Sequence, residues 1–371
     1  MMLGIYIHIP FCKKKCNYCD FLSSSDTTKV DKYLKKLKEE ISFYANTYST
    51  DEVDTVFVGG GTPSVLRTGA VCEVLDTLSK RFHLSQTPEI TVEANPDTLN
   101  LEKVMEYSSC ATRVSLGVQS LSDKVLKIAG RLHNEEGARN ALKLLSQSKL
   151  DVSADLILGL PFDSIDGVTY STKGILDYGI GHLSAYGLKI EENTSFYRDF
   201  NQNNKSFPDD DVVADMYDIV LEISKSYGLE RYEVSNFAKL GCECKHNVGY
   251  WRRKPYLGLG IGAHSLLRDT RYENTSDIEK YLSCNDFSLV RKVESNLSKD
   301  DKLFEEIMLG LRLRDGVDVK ALEKSYGIDF FERFSKPITK LKDVLEYSFD
   351  KLRVKEDYFY ALNSIIVEFL D

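Results

Sequence analysis

Six short runs rich in β-branched and apolar residues, at positions 4–9, 53–58, 89–94, 113–119, 151–158 and 182–190, alternate with amphipathic stretches over the first half of the chain. Between the first two, Val30, Tyr33, Leu34, Leu37 and Ile41 recur at helical spacing, and 135–147 and 167–178 read the same way. Repeated β-then-α units imply a parallel sheet, and such a sheet is stable only with both faces covered, in a barrel-like or doubly wound arrangement. Alternation inside the runs favours a barrel. Ile5, Ile7 and Ile9 share one face against Tyr6 and His8; Val114, Leu116 and Val118 oppose Ser115, Gly117 and Gln119; Val152, Ala154, Leu156 and Leu158 oppose Ser153 and Asp155. One face packs on helices. The other is polar, small or aromatic, as expected of a barrel that holds a ligand.

Directly after the first run, Cys12, Cys16 and Cys19 fall within eight residues. Thiolates are soft ligands, and three on one loop can hold three corners of an iron–sulfur cube or part of a zinc site. Complete sites normally have four protein ligands, so three with no obvious fourth imply a metal with an open position; structural zinc is the alternative. The segments Gly59-Gly60-Gly61-Thr62-Pro63 and Glu93-Ala94-Asn95-Pro96, together with Gln119, also lie at carboxyl ends of expected strands, and Asp155 lies on an inner face. In barrel enzymes that end carries the active site. A glycine triplet alone can be a tight turn, and an inward Asp or Gln can be a satisfied core polar group. Their recurrence on successive units favours a site. The triplet is no Walker loop, because Gly-Lys-Ser/Thr is missing; it is expected to offer bare amides to a ligand.

The Cys-x3-Cys-x2-Cys spacing, behind Tyr6-x-His8-x-Pro10-Phe11 and before Asp20-Phe21, resembles the radical S-adenosylmethionine (SAM) enzymes. Within them it is similar to the branch that holds oxygen-independent coproporphyrinogen III oxidase and the haem chaperone HemW. The resemblance implies a partial (β/α)6 barrel with a small winged-helix-like α+β domain at the C-terminus. It also implies a 4Fe-4S cluster on Cys12, Cys16 and Cys19, with SAM on the open iron. Gly60, Gly61 and Thr62 match the segment that meets the amino group of SAM. Glu93, Gln119, Arg131 and Asp155 match polar residues around it, Arg131 suiting the carboxylate, and Tyr6 would pack beside cluster and ligand.

Two departures bear on the branch. The oxidases carry a fourth cysteine where this chain has Phe21, and HemW proteins carry His-Asn-x-x-Tyr-Trp, present here as His246, Asn247, Tyr250 and Trp251. The resemblance therefore implies haem binding centred on His246, with Cys244 as a rival ligand, and delivery of haem to haem-requiring apoproteins. Arg252, Arg253 and Lys254 are expected to pair with propionates or form a basic turn. Lys13, Lys14 and Lys15 either dock a flavodoxin-like reductant or are a solvated loop tip. The alternatives are the oxidase, which decarboxylates propionate side chains, and an iron–sulfur electron carrier.

Residues 193–207 read as a polar linker, 209–227 as one helix and 231–238 as a strand extending the sheet. The glycine run at 258–265 loosely fits a dinucleotide fingerprint, but no strand–turn–helix unit surrounds it; it is expected to be a loop near the barrel mouth. In 298–371, helices are expected at 305–313, 318–326 and 330–345 and a hairpin at 352–362, a winged-helix shape read as a lid or docking module. The segments expected are thus 1–195 (barrel), 196–297 (barrel extension with the haem motif) and 298–371. With 13 Lys and Arg against 16 Asp and Glu, the last lacks the charge for DNA, and the net charge of −9 argues against nucleic-acid binding for the whole. No apolar run reaches membrane-span length and strand-like sequence starts at Leu3, so a cytoplasmic protein is expected, one whose only membrane contact is peripheral, with membrane haemoproteins. In that compartment disulfides are not expected, and Cys72, Cys110 and Cys284 read as packing thiols.

Overall fold

Six parallel strands lie side by side in chain order: β1 (Met2–Ile9), β2 (Glu52–Gly60), β3 (His83–Ala94), β4 (Arg113–Gln119), β5 (Asp151–Leu158) and β6 (His182–Gly187). The computed structural model describes residues 2–202 and 204–370. The alternation works as expected: Ile5, Ile7, Val114, Leu116, Val118 and Ala154 are fully buried against the surrounding helices. Helices Leu101–Cys110, Glu135–Ser146, Ile165–Leu176 and Asp210–Ser226 each start at a side-chain cap, Asn100, Asn134, Ser164 and Asp209 respectively. Each cap accepts from the backbone N–H three residues on, so the helix entry points are written locally.

The sheet is longer than the six-strand repeat. Beyond β6 come β7 (Glu230–Arg231) and β8 (Asn236–Ala238), with β8 antiparallel to β6. On the other edge β9 (Tyr256–Leu259) joins β1 in parallel, followed by β10 (His264–Leu267), β11 (Thr270–Asn274) and β12 (Arg291–Asn296) in antiparallel order. Core residues of 216–290, among them Met216, Phe237, Leu257 and Tyr281, belong to the same hydrophobic cluster as the barrel. A second cluster, including Leu303, Ile307, Phe330, Leu352 and Ile366, lies wholly within the last segment. There β13 (Val317–Asp318), β14 (Leu345–Ser348) and β15 (Lys351–Val354) form a small antiparallel sheet beside short helices, the expected α+β module. Among the described residues no helix is long and apolar enough to cross a membrane.

Several local readings are corrected. The expected linker contains helix Ser195–Gln202, because Phe196 and Phe200, four residues apart, pack edge-on against Phe207. The strand expected at 231–238 is two short strands around a turn, in which Glu233 folds back to accept from Ser235 N at 3.2 Å. The helix expected at 330–345 is Phe330–Arg333 and Ser335–Lys340; Pro337 sits in the first turn of the second piece, where a missing N–H is tolerated. The hairpin lies earlier than expected, turning at Phe349 and Asp350, whose φ values of 50° and 61° make the left-handed two-residue turn that strand twist favours. Cys72 and Cys110 are disulfide-bonded, with Cα atoms 5.6 Å apart. Helix Ala70–Arg81 packs on Leu101–Cys110 and brings the two thiols together, which a compartment argument could not foresee.

The glycine run at 258–265 is not a free loop. It is β9 and its turn into β10, drawn tightly onto β1. A Cβ on Gly260, whose φ is +95°, would lie 2.4 Å from Tyr33 Oη and 2.8 Å from the His8 carbonyl. Gly260→Ala is expected to cost about 2–3 kcal/mol from backbone strain and overpacking, read as a lower urea midpoint; an unchanged midpoint would refute this account of the turn.

Candidate functional site

The cysteine loop leaves β1 at Pro10 and is clamped at three places. Cys12 N–H donates to the Ser24 carbonyl at 3.0 Å and Ser24 N–H to the Pro10 carbonyl at 2.7 Å, closing the loop on itself. Asn17 donates through its backbone to the Ala129 carbonyl at 3.0 Å and through Nδ2 to the Ile128 carbonyl at 2.8 Å. The Asn17 carbonyl accepts from Phe196 N–H at 3.0 Å, so the unforeseen helix after β6 holds the loop down. Cys12, Cys16 and Cys19 all line one cavity of about 690 Å³ that runs into the barrel. Among the described residues no three His, Cys, Asp or Glu side chains converge tightly enough for a single ion. Three thiols lining one opening are soft ligands of the kind an iron–sulfur cluster takes.

The glycine triplet is required by the protein's own backbone. A Cβ on Gly60 (φ +107°) would fall 2.4 Å from the His8 ring, and one on Gly61 would fall 2.7 Å from the Phe11 carbonyl. Its amides are not bare, which corrects the expectation. Gly60 N–H donates to Glu93 Oε2 at 3.0 Å, Gly61 N–H to the Ile9 carbonyl at 2.8 Å and Thr62 N–H to the Phe11 carbonyl at 2.8 Å. The triplet thus brings wall and cysteine loop together and leaves Glu93 pointing into the cavity.

Gly60, Gly61, Thr62, Glu93, Gln119, Arg131 and Asp155 all line that cavity. Tyr6 does not: its ring stacks on Phe57, and its hydroxyl pairs with His8 Nδ1 at 3.0 Å. Gln119 sits at a bulge with φ +68°, a left-handed strain of the kind concentrated at functional sites. Burial pushes the Glu93 carboxyl up to about 7, helped by nearby Asp155, while the hydrogen bond from Gly60 opposes the rise. Burial likewise raises Asp155 to about 6, against hydrogen bonds from Ser184 and Ser115. Across from them Arg131 has a buried Nε with no partner. Two acids and an arginine with a spare donor match a ligand that is cationic at one end and carboxylate-bearing at the other, which is the donor set SAM needs.

Helix Lys245–Trp251 meets the cavity at its start, where Cys244 and Asn247 line it. Buried Glu89 accepts from Lys245 N–H and His246 N–H, each at 3.0 Å, and faces Cys244 Sγ at 3.5 Å. Arg113 approaches the same carboxylate at 3.5 Å and donates to the Cys242 carbonyl at 2.9 Å. His246 is 3% exposed; Nδ1 bonds Thr55 Oγ1 and Nε2 bonds Tyr250 Oη, both at 2.9 Å, and burial drives its pKa down to about 3. Burial pushes the Cys244 thiol up to about 12, so it stays protonated. Asn247 and Cys244 face the cavity, whereas His246 and Tyr250 pack behind the wall and Trp251 turns towards Glu233 and Arg312. Arg253 pairs with Glu305 and Asp269, and Lys254 with Asp54, so the basic turn is largely consumed. Lys13 is tied to Asp97, while Lys14 and Lys15 stand at the cavity rim. Arg113 and His182, whose Nε2 pairs with Tyr232 Oη at 2.8 Å, line the cavity and were missed in the sequence, as was Glu89 behind them, although it shares the inward alternation of Glu93.

The folded chain binds the Glu93 proton more tightly than the unfolded chain does, so the ionised carboxylate destabilises the empty barrel as pH rises. Ligand-free Glu93→Gln is therefore expected to unfold at a higher temperature than wild type above pH 7, with the gap closing towards pH 4.5. Melting curves from pH 5 to 8 test this; a constant gap would contradict the assigned burial.

The "Radical SAM superfamily" family model matches residues 6–169, and that of the "HemN C-terminal domain" matches 297–355. A protein named heme chaperone HemW from Lactococcus lactis is 32% identical over 370 residues, covering 98% of this chain and 96% of the relative. One of the same name from Escherichia coli K12 is 36% identical over 320 residues, covering 84% and 82%. The solved structure of the coproporphyrinogen III oxidase HemN from Escherichia coli superimposes with a TM-score of 0.86 over 99% of this chain and 89% of its own, at 21% identity, which is a likeness of fold. The chain belongs to the radical SAM superfamily and, within it, to the HemW family.

Proposed function

We propose that this protein is a haem chaperone of the HemW type, which binds haem and delivers it to haem-requiring apoproteins in the cytoplasm. Supporting this is full-length likeness to relatives named heme chaperone, together with Phe21, 65% exposed at the cavity mouth where the oxidases carry a cysteine. Membership of the superfamily brings SAM and a 4Fe-4S cluster. In this reading Cys12, Cys16 and Cys19 hold the cluster, which supplies an electron and an open iron when bound. Gly60, Gly61, Thr62 and Gln119 shape the SAM pocket, Glu93 and Asp155 face the cationic end of SAM, and Arg131 takes its carboxylate. Lys14 and Lys15 form the rim an acidic reductant would meet. Residues 298–371 serve as the module on which a haem acceptor docks.

Haem ligation by His246 carries a condition. A neutral imidazole is a common axial ligand, but this ring must first give up Thr55 or Tyr250. Helix Lys245–Trp251 would therefore have to shift before iron reached it, with Asn247 the one residue of the motif already on the cavity.

Replacing any one of Cys12, Cys16 or Cys19 by Ala is expected to abolish the broad visible absorption and lose iron after anaerobic reconstitution. Retention of four irons by the triple variant would end the cluster assignment. Haem titration should give one haem per wild-type chain and a weakened, spectrally altered complex in His246→Ala. Unchanged affinity, spectrum and transfer to an apo-haemoprotein in that variant would remove His246 from the site. Turnover of coproporphyrinogen III by a wild type that binds no haem would install the oxidase reading instead.

A further inference from the structure

Two of the three cysteine thiols are hydrogen-bonded by one connected set of side chains, with Asn95 at its centre. Asn95 Oδ1 accepts from Arg131 Nη2 at 2.8 Å, and its Nδ2 donates to Thr62 Oγ1 at 3.1 Å. Thr62 Oγ1 then donates to Cys12 Sγ at 3.4 Å, while Arg131 Nη1 donates to Cys16 Sγ at 3.5 Å. The directions are forced. A guanidinium can only donate, so the Asn95 carbonyl oxygen must face it. The amide nitrogen is left to face Thr62, whose hydroxyl proton is thereby free for the sulfur. The Asn95 backbone is pinned as well, its N–H donating to Ser64 Oγ at 3.1 Å, and Arg131 is steadied by the Gly117 carbonyl at 2.7 Å.

Hydrogen bonds donated to the sulfurs of an iron–sulfur cluster favour its reduced, more negative state and raise its potential. A guanidinium beside Cys16 acts in the same sense. We propose that Asn95 is a positioning residue that sets the reduction potential of the cluster and, through Arg131, the affinity for the SAM carboxylate. The proposal rests on the cluster and SAM reading above. It goes beyond it by naming one side chain that serves two thiolates and the ligand's anionic end together.

Wild type, Asn95→Asp, Asn95→Ala and Thr62→Val are reconstituted anaerobically, and the midpoint potential is measured by redox titration followed by EPR. SAM binding is measured by equilibrium dialysis. An aspartate accepts from Arg131 but cannot donate to Thr62, so Asn95→Asp should lower the midpoint while keeping SAM affinity close to wild type. Asn95→Ala should lower the midpoint and weaken SAM by about tenfold, the scale of one charge-assisted hydrogen bond. Thr62→Val, nearly isosteric, should lower the midpoint through Cys12 alone. Four-iron Asn95→Asp and Thr62→Val proteins with the wild-type midpoint would overturn the proposal, and they decide the matter if Asn95→Ala cannot hold the cluster. A wild type that takes up no cluster would bring down the underlying reading, a separate and recognisable result.

Discussion

A parallel barrel built from six strands is open at its amino end, and in this protein one buried carboxylate closes it. Glu89 gathers the first two amides of helix Lys245–Trp251, the thiol of Cys244 and the guanidinium of Arg113. Leaving that charge unpaired in the interior would cost several kcal/mol, which these contacts offset. They join the first half of the sequence to the second, beside the cavity that the inner face of the barrel encloses. Cys12, Cys16, Cys19, Glu93 and Arg131 line one part of that cavity, and Cys244 and Asn247, at the start of helix Lys245–Trp251, line another.

The cavity itself is electrostatically unfinished. Glu93 and Asp155 repel one another in a buried setting, and Arg131 keeps a donor without a partner. A fold selected only for stability would replace such groups with apolar ones. Their retention fits a site whose charges are balanced only when a ligand brings the complementary set. The glycine triplet fits the same logic, since its amides are committed to the wall and the polar groups left facing inward are side chains of opposite sign.

Much of this was legible in the sequence. Period-two alternation placed β4 and β5 at their observed ends and put Asp155 on the inside, because one face of each strand had to be buried. The thiol spacing located the mouth. What was not legible depends on partners far away in the chain. Phe196 and Phe200 look like loop aromatics until Phe207 packs on them, and the two-strand turn at 231–238 needs Glu233 to fold back. By the family resemblance His246 reads as an axial haem ligand in a motif of His, Tyr and Trp. Only the tertiary position of Thr55, on a strand nearly two hundred residues earlier, turns it into a buried, neutral, doubly bonded ring.

Helix Lys245–Trp251 has only seven residues, too short to bend. At its start Cys244 and Asn247 face the cavity; at its end Trp251 meets Glu233 and Arg312, and the neighbouring Arg253 grips Glu305 of the C-terminal module. One short helix therefore touches the cavity at its start and the C-terminal module at its end. The wall of the cavity and the face against the C-terminal module are thus built from the same two turns of backbone.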